Sequence, residues 1–255
     1  MNVRTGKINY YIYIWKDGME TGLAEKLRPG DRISVSIRDL GLERNRETFA
    51  QLRRQGVELW AFLPVLWKPG QGPSPEEIAP QIDGWYAGNI GQIRRLLDTG
   101  KPVYGDAGLN VFNRETAEVF AGLGLSGVTL SYELGKESVK EILEDTSSDY
   151  CCHPERSEGS SPISFELLRS GRIPAMVSEY CPFAGAEGIR GDRCGRCRKD
   201  NPVWLKDFKG ERYPVLLDPA GCTSLILSRR SLDRPVTGIG TASDLDLIER
   251  ICVFD

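Results

Sequence analysis

Apolar residues fall into short runs separated by longer amphipathic stretches. Residues 32–37 (RISVSI), 57–63 (VELWAFL), 84–87 (GWYA), 102–104 (PVY), 127–131 (GVTLS) and 173–177 (IPAMV) are nearly continuous in apolar and β-branched side chains. That is the pattern of strands buried on both faces of a parallel sheet. Residues 10–15 (YYIYIW) offer a further strand. Between the runs, residues 43–54, 76–82, 90–97, 114–123 and 136–144 repeat apolar positions three and four apart, which predicts helices lying on the sheet by one face. Strand alternating with helix predicts a parallel α/β domain. With about six such units the chain falls short of the eight that close a barrel, so the expected architecture is a partial or complete TIM-barrel-like domain over residues 1–177.

The even spacing of strands breaks after 127–131. The excess length falls on residues 146–162 (TSSDYCCHPERSEGSSP), which are polar, lack periodicity and read as an inserted flexible surface loop. Its CHPERSEGSS string resembles translated repeat elements found in unrelated bacterial proteins. Cys151, Cys152 and His153 inside it invite a metal reading, but a tolerated insertion is the simpler one. After residue 177 the pattern turns Gly-, Arg- and Cys-rich, with strands suggested only at 213–217 and 224–228. Residues 178–255 therefore read as a Cys-rich metal-binding segment following the barrel.

Composition narrows the function classes. The 255 residues are 40% hydrophobic and 27% charged, which excludes collagen-like, coiled-coil and wholly disordered chains. Lys plus Arg number 33 against 36 Asp plus Glu, so no global basic field points to nucleic acid. The apolar run at residues 8–15 is far short of the roughly 20 residues of a membrane helix and has no small-residue cleavage site, so a cytoplasmic protein is expected. Seven cysteines, an odd count, argue against a secreted disulfide scaffold and for reduced thiols. One histidine, His153, excludes sites that need two.

Four of the cysteines form a constellation. Cys181, Cys194, Cys197 and Cys222 lie in a segment rich in Gly, Pro and Arg, where buried packing cysteines are not expected. A C-x2-C turn aims two thiolates at one centre, and two distant cysteines complete four-fold coordination. The spacing admits zinc or an iron–sulfur cluster. Around the C-x2-C stand Arg190, Arg193, Arg196, Arg198 and Lys199, which suit RNA phosphate contacts or, equally, compensation of thiolate charge. Trp204 nearby suits stacking on a base or covering the metal site. Three carboxylates, Asp106, Glu133 and Glu179, follow the carboxyl ends of expected strands, where barrel enzymes place catalytic groups. Such residues also cap helices and hold turns.

The segments GRIPAMVSEYCPFAG, CGRC, LLDPAGC, GDAGLNVFN and GVTLSYEL together resemble the collagenase-like protease family, family thirty-two of the peptidases of unknown catalytic type. The resemblance runs over roughly residues 52–227, and relatives are longer on both sides, which implies a truncated member carrying an inserted repeat-derived loop. It implies a barrel-like fold and, for several members, a four-iron four-sulfur cluster on four cysteines, here Cys181, Cys194, Cys197 and Cys222, with zinc as the alternative. It implies two chemistries. One is peptide hydrolysis, for which this chain offers Asp106, Glu133 and Glu179. The other is oxygen-independent hydroxylation of RNA bases or a quinone precursor, with Asn89, Asp106, Asn110, Asn113 and Glu133 forming a polar substrate pocket. Asn110 and Asn113 equally suit a turn and a helix cap. A third reading is non-enzymatic, a zinc knuckle or degenerate fragment.

Overall fold

The computed structural model describes residues 7–15, 19–68, 70, 72–144, 163–186, 188, 203–218, 221–235 and 245–251. The chain runs β1 (Ile8–Ile12), α1 (Met19–Ala24), β2 (Arg32–Ser36), α2 (Ile37–Leu40), α3 (Arg46–Arg54), β3 (Glu58–Phe62), α4 (Pro75–Ile78), β4 (Gly84–Ala87), α5 (Ile90–Leu97), β5 (Val103–Gly105), α6 (Arg114–Gly122), β6 (Gly127–Thr129), α7 (Lys136–Glu144) and β7 (Ser164–Gly171). Then follow β8 (Pro174–Ser178), α8 (Pro182–Ala186), β9 (Val203–Lys206), β10 (Arg212–Asp218), β11 (Thr223–Leu227), β12 (Leu232–Asp233) and β13 (Leu245–Ile251).

Among the described residues, eight strands pair in parallel in the order β1-β2-β3-β4-β5-β6-β7-β13, and β13 returns to β1, so the ring is closed. The short strand β12 adds to β7 in antiparallel register. Strands β8, β11, β10 and β9 form a second, antiparallel sheet inserted between β7 and β13.

Four expectations are corrected by the structure. The count of about six units gives way to a closed ring because β7 and β13 carry charges, Glu166 in SFELLRSG and Asp246, Glu249 and Arg250 in LDLIERI, that interrupt the apolar runs. Residues 173–177 are not a barrel strand: as β8 they pair with β11. The boundary at 177/178 does not separate the two sheets either, because β13 lies in the first. The helix expected at 76–82 stops at Ile78 and continues as a 3₁₀ turn over Ala79–Gln81, since Pro80 has no N–H to donate. Its start is set by a capping box, with Ser74 and Glu77 bonding each other's backbone. The expected loop at 146–162 lies outside the described residues; its flanks, α7 and β7, join at the amino-terminal end of the barrel.

The helices pack on the outside of the ring through Phe49, Leu52, Ile93, Leu96, Phe120, Val139 and Ile142 against strand residues such as Ile33, Val35 and Trp85. The lumen is filled from below by a polar network and above by aromatic rings. Arg32 Nη1 donates to Glu166 Oε1 at 2.7 Å and to the Tyr86 hydroxyl at 2.7 Å, and that hydroxyl donates to Glu166 Oε1 at 2.6 Å. Asn9 Nδ2 donates to the Tyr86 oxygen at 2.8 Å, Ser34 Oγ to Asn9 Oδ1 at 2.8 Å and Thr129 Oγ1 to Glu166 Oε2 at 3.1 Å. The Arg32 guanidinium lies 3.7 Å from the Trp60 ring centroid and 4.8 Å from that of Tyr104. Burial works against its charge, but Tyr86 and Glu166 outweigh that and its pKa is raised. Burial and the Glu166 carboxylate push the Tyr86 phenol up as well.

Two glycines make room for these rings. A Cβ on Gly84 would stand 2.6 Å from the Trp60 indole, and one on Gly127 would stand 2.5 Å from the Tyr104 ring. Gly127→Ala should therefore cost about 1–3 kcal/mol through overpacking, read as a lower urea midpoint. An unchanged midpoint would mean that Tyr104 swings aside freely. No helix among the described residues is long and apolar enough to cross a membrane.

Candidate functional site

All eight barrel strands point the same way, so their carboxyl ends share one mouth, the end where barrel folds place chemistry. The inserted sheet lies over it: Leu216 and Leu227 share a buried cluster with Tyr11, Tyr13, Phe62, Leu168 and Ile248 of the barrel. Polar contacts fasten the two. The Tyr13 hydroxyl donates to the Arg172 carbonyl at 3.2 Å and the Tyr132 hydroxyl to that of Pro174 at 3.2 Å. Arg38, on α2, forms an ion pair with Asp218 at the end of β10. Lys68, beyond β3, pairs with Glu179 at 2.5 Å.

These ion pairs bracket the described cysteines. β8 and β11 are antiparallel with Ser178 opposite Ser224, so Cys181, just past β8, and Cys222, just before β11, leave the same end of the sheet. Ser224 Oγ donates to the Tyr180 carbonyl at 2.9 Å, closing the two loops on one another. Both cysteines are half-buried and neither forms a disulfide. Cys194 and Cys197 lie outside the described residues. The chain that carries them leaves α8 and re-enters at Val203, opposite Val215, on this same end of the sheet. Among the described residues no three His, Cys, Asp or Glu side chains gather as a metal site. Arg190, Arg193, Arg196, Arg198, Lys199, Cys151, Cys152 and His153 also lie outside them.

The three carboxylates occupy different environments. Asp106 is buried at the end of β5, accepting from the Tyr11 hydroxyl at 2.9 Å through Oδ2 and from the Ala107 N–H at 2.7 Å through Oδ1. Glu133 is exposed, and its backbone N–H donates to Ser131 Oγ at 3.4 Å. Glu179 is exposed and engaged by Lys68. The asparagines hold the loops of the mouth. Asn89 Nδ2 donates to the Val65 carbonyl at 2.7 Å, tying the loop after β4 to that after β3. Asn110 adopts a left-handed conformation, φ 57°, which asparagine tolerates better than most residues, and its Oδ1 accepts from Ser131 Oγ at 3.2 Å. Asn113 caps α6, its Oδ1 accepting from the Thr116 N–H at 2.9 Å. Trp204 stands on the edge strand β9, 41% exposed, with the Arg212 guanidinium 4.9 Å from its ring centroid.

One carboxylate at the mouth escaped the sequence reading. Asp39, on α2, is half-buried and accepts from the Trp15 N–H at 3.2 Å. Burial pushes its pKa up to about 6, against the opposing pull of that N–H and of Arg44 and Arg38. The only signal in the sequence is an acidic residue three past a strand end, too common a feature to single out.

No protein-family model matches the chain, and no curated protein does. Among solved structures, one described as the U32 peptidase Mk0906 aligns over 99% of this chain and 96% of its own, with 14% identity and a TM-score of 0.52. Another, described as native KDPGal, aligns over 66% of this chain and 74% of its own, with 14% identity and a TM-score of 0.43. The full-length match with the first is a likeness of fold: the chain has a U32-peptidase-like α/β barrel architecture.

Proposed function

We propose that the protein holds a four-iron four-sulfur cluster on Cys181, Cys194, Cys197 and Cys222 over the barrel mouth and carries out oxygen-independent hydroxylation of an RNA base or a quinone precursor. The observation that carries this reading is the convergence of Cys181 and Cys222, distant in sequence, on one sheet end that is fastened to the mouth by Arg38 and Lys68. Thiolates are the donor set that iron–sulfur clusters and structural zinc share. When bound, the cluster supplies one-electron chemistry at the mouth.

The reaction class balances without dioxygen when the oxygen comes from a hydroxylated, carboxylated small molecule: a substrate C–H becomes C–OH while the donor's C–OH becomes C–H. The chain's own part is to bind and orient. Asn89, Asn110, Asn113 and Glu133 line the loops where a polar substrate would lie, and Asp106, held by Tyr11, presents a fixed acceptor. The basic residues 190–199 would bear on phosphate if the substrate is RNA.

Anaerobic purification followed by iron, sulfide and zinc analysis tests the reading. Roughly four irons per chain with a broad band near about 400 nm are expected, and Cys197→Ser should lose them. Stoichiometric zinc without colour would overturn the cluster and return attention to proteolysis, the activity in the name of the structural neighbour, or to a non-catalytic zinc knuckle. Unchanged metal content in Cys197→Ser would remove that residue from the ligand set.

A further inference from the structure

The loop that presents Cys222 is built around one carboxylate. Asp218 ends β10, and its Oδ1 accepts from the Gly221 N–H at 3.2 Å while its Oδ2 accepts from the Thr223 hydroxyl at 3.3 Å. The two bonds grip the residues on either side of Cys222. Cys222 itself has φ 49°, the left-handed region that a β-substituted residue enters only when its surroundings hold it there. The same Oδ2 is the partner of Arg38, whose side chain is only 14% exposed and whose helix follows directly on barrel strand β2. The chain of contacts is thus Arg38 to Asp218, and Asp218 to both flanks of the cysteine.

The second clasp is weaker. Lys68 and Glu179 are each more than half exposed, and exposed pairs contribute little. The Cys181 side is instead tied to the Cys222 side through Ser224 and Tyr180, so the ion pair of Asp218 with Arg38 is the better shielded of the two clasps at the cysteine loops.

From this we infer that Asp218, held by Arg38, is a positioning residue that sets the Cys222 thiolate in place over the barrel mouth. The inference rests on the reading of Cys222 as a metal ligand. Residues that orient a ligand without touching the metal characteristically change metal affinity by about 10- to 100-fold when altered. Asp218→Asn keeps the shape of the side chain but weakens its hold on Arg38 and gives Thr223 an amide in place of a carboxylate.

The experiment uses the full chain, purified without oxygen and loaded with iron and sulfide, and follows iron transfer to a ferrous chelator together with the visible band. Asp218→Asn should release iron roughly tenfold faster than the unmodified chain. Arg38→Gln should match it, and Arg38→Lys should restore most of the retention. Glu211→Gln is the control: Glu211 pairs with Arg229 at the opposite end of the same sheet, and its release rate should equal that of the unmodified chain. If Asp218→Asn does not fold, Thr223→Val decides, since it removes only the hydroxyl donated to Asp218 and should still accelerate release. A loaded chain whose Asp218→Asn and Thr223→Val variants keep iron as well as the original would overturn the positioning role and leave the cluster standing. Equal acceleration by Glu211→Gln would also overturn it, as the signature of a sheet loosened anywhere. An unmodified chain that takes up no iron would overturn the cluster and the positioning role together.

Discussion

Replacing Glu166 by glutamine should destabilise the protein by about 3–5 kcal/mol, the largest effect expected of any single substitution here. Glu166 is fully buried in the lumen, and it is the carboxylate against which the buried Arg32 guanidinium rests at 2.7 Å. A buried ion pair need not be strongly favourable in sum, because both charges have left water. Removing one partner, however, strands the other without compensation, and that penalty is several kcal/mol. The second carboxylate near Arg32, Glu58, is 3.3 Å from Nε and one-third exposed, so water screens it and it cannot take over. The Trp60 and Tyr104 faces add cation–π attraction of order 1–2 kcal/mol, less than the loss. Urea unfolding measures the result. A change below about 1 kcal/mol would show that Arg32 is held by Glu58 and the rings instead. The double variant Arg32→Met with Glu166→Leu should recover much of the loss, since apolar side chains of similar volume replace buried ion pairs at little cost.

Asp39→Asn should act in the opposite direction, stabilising the protein at neutral pH by about 1–2 kcal/mol. The Asp39 pKa is pushed up to about 6 in the folded chain from an ordinary value of 3.8. The folded state therefore binds this proton more tightly than the unfolded state does. Its contribution is fully present below about pH 4, is lost as the pH rises through 4 to 6, and leaves a constant penalty above. About two pH units at roughly 1.4 kcal/mol each bound the penalty from above, and partial exposure reduces it. The asparagine amide oxygen still accepts the Trp15 N–H, so little else changes. The quantity to measure is the difference in unfolding free energy between variant and original across pH 4 to 8. It should be near zero at the acid end and grow through pH 6. A variant that is less stable at pH 8 would show that the ionised carboxylate is worth more to Arg38 and Arg44 than its burial costs.

Both predictions concern residues that one-dimensional reading passed over, and for the same reason. Glu166 sits in SFELLRSG, where a charge in an apolar stretch argues against a buried strand; only closure of the ring turns it toward Arg32, a residue 134 positions away. Asp39 gains its shifted pKa from burial beneath the end of β1, which no local pattern reports. The candidate site divides similarly. The cysteine spacing and the motif strings marked Cys181 and Cys222 directly, because a C-x2-C turn with two distant cysteines is a pattern the sequence displays by itself. Their approach to one sheet end, and the contacts of Asp218 with Arg38 and with both neighbours of Cys222, depend on an antiparallel register set by hydrogen bonds between distant strands.

The hydrophobic pattern alone specified the parallel α/β class, the barrel strands β2 to β6 and four of the five helical stretches that cover them. These are local properties: a strand buried on both faces must be apolar throughout, and a helix on a sheet must carry one apolar stripe. Tertiary structure decided that the ring closes, because closure depends on strands β7 and β13, and the inward charge of β7, Glu166, finds its partner Arg32 only across the lumen. It also decided that the second, antiparallel sheet is inserted between β7 and β13 and packs on the mouth. The reason is physical: the edge strands β1 and β7 each present unpaired backbone donors and acceptors, and β13, arriving from the far end of the chain, satisfies both at once.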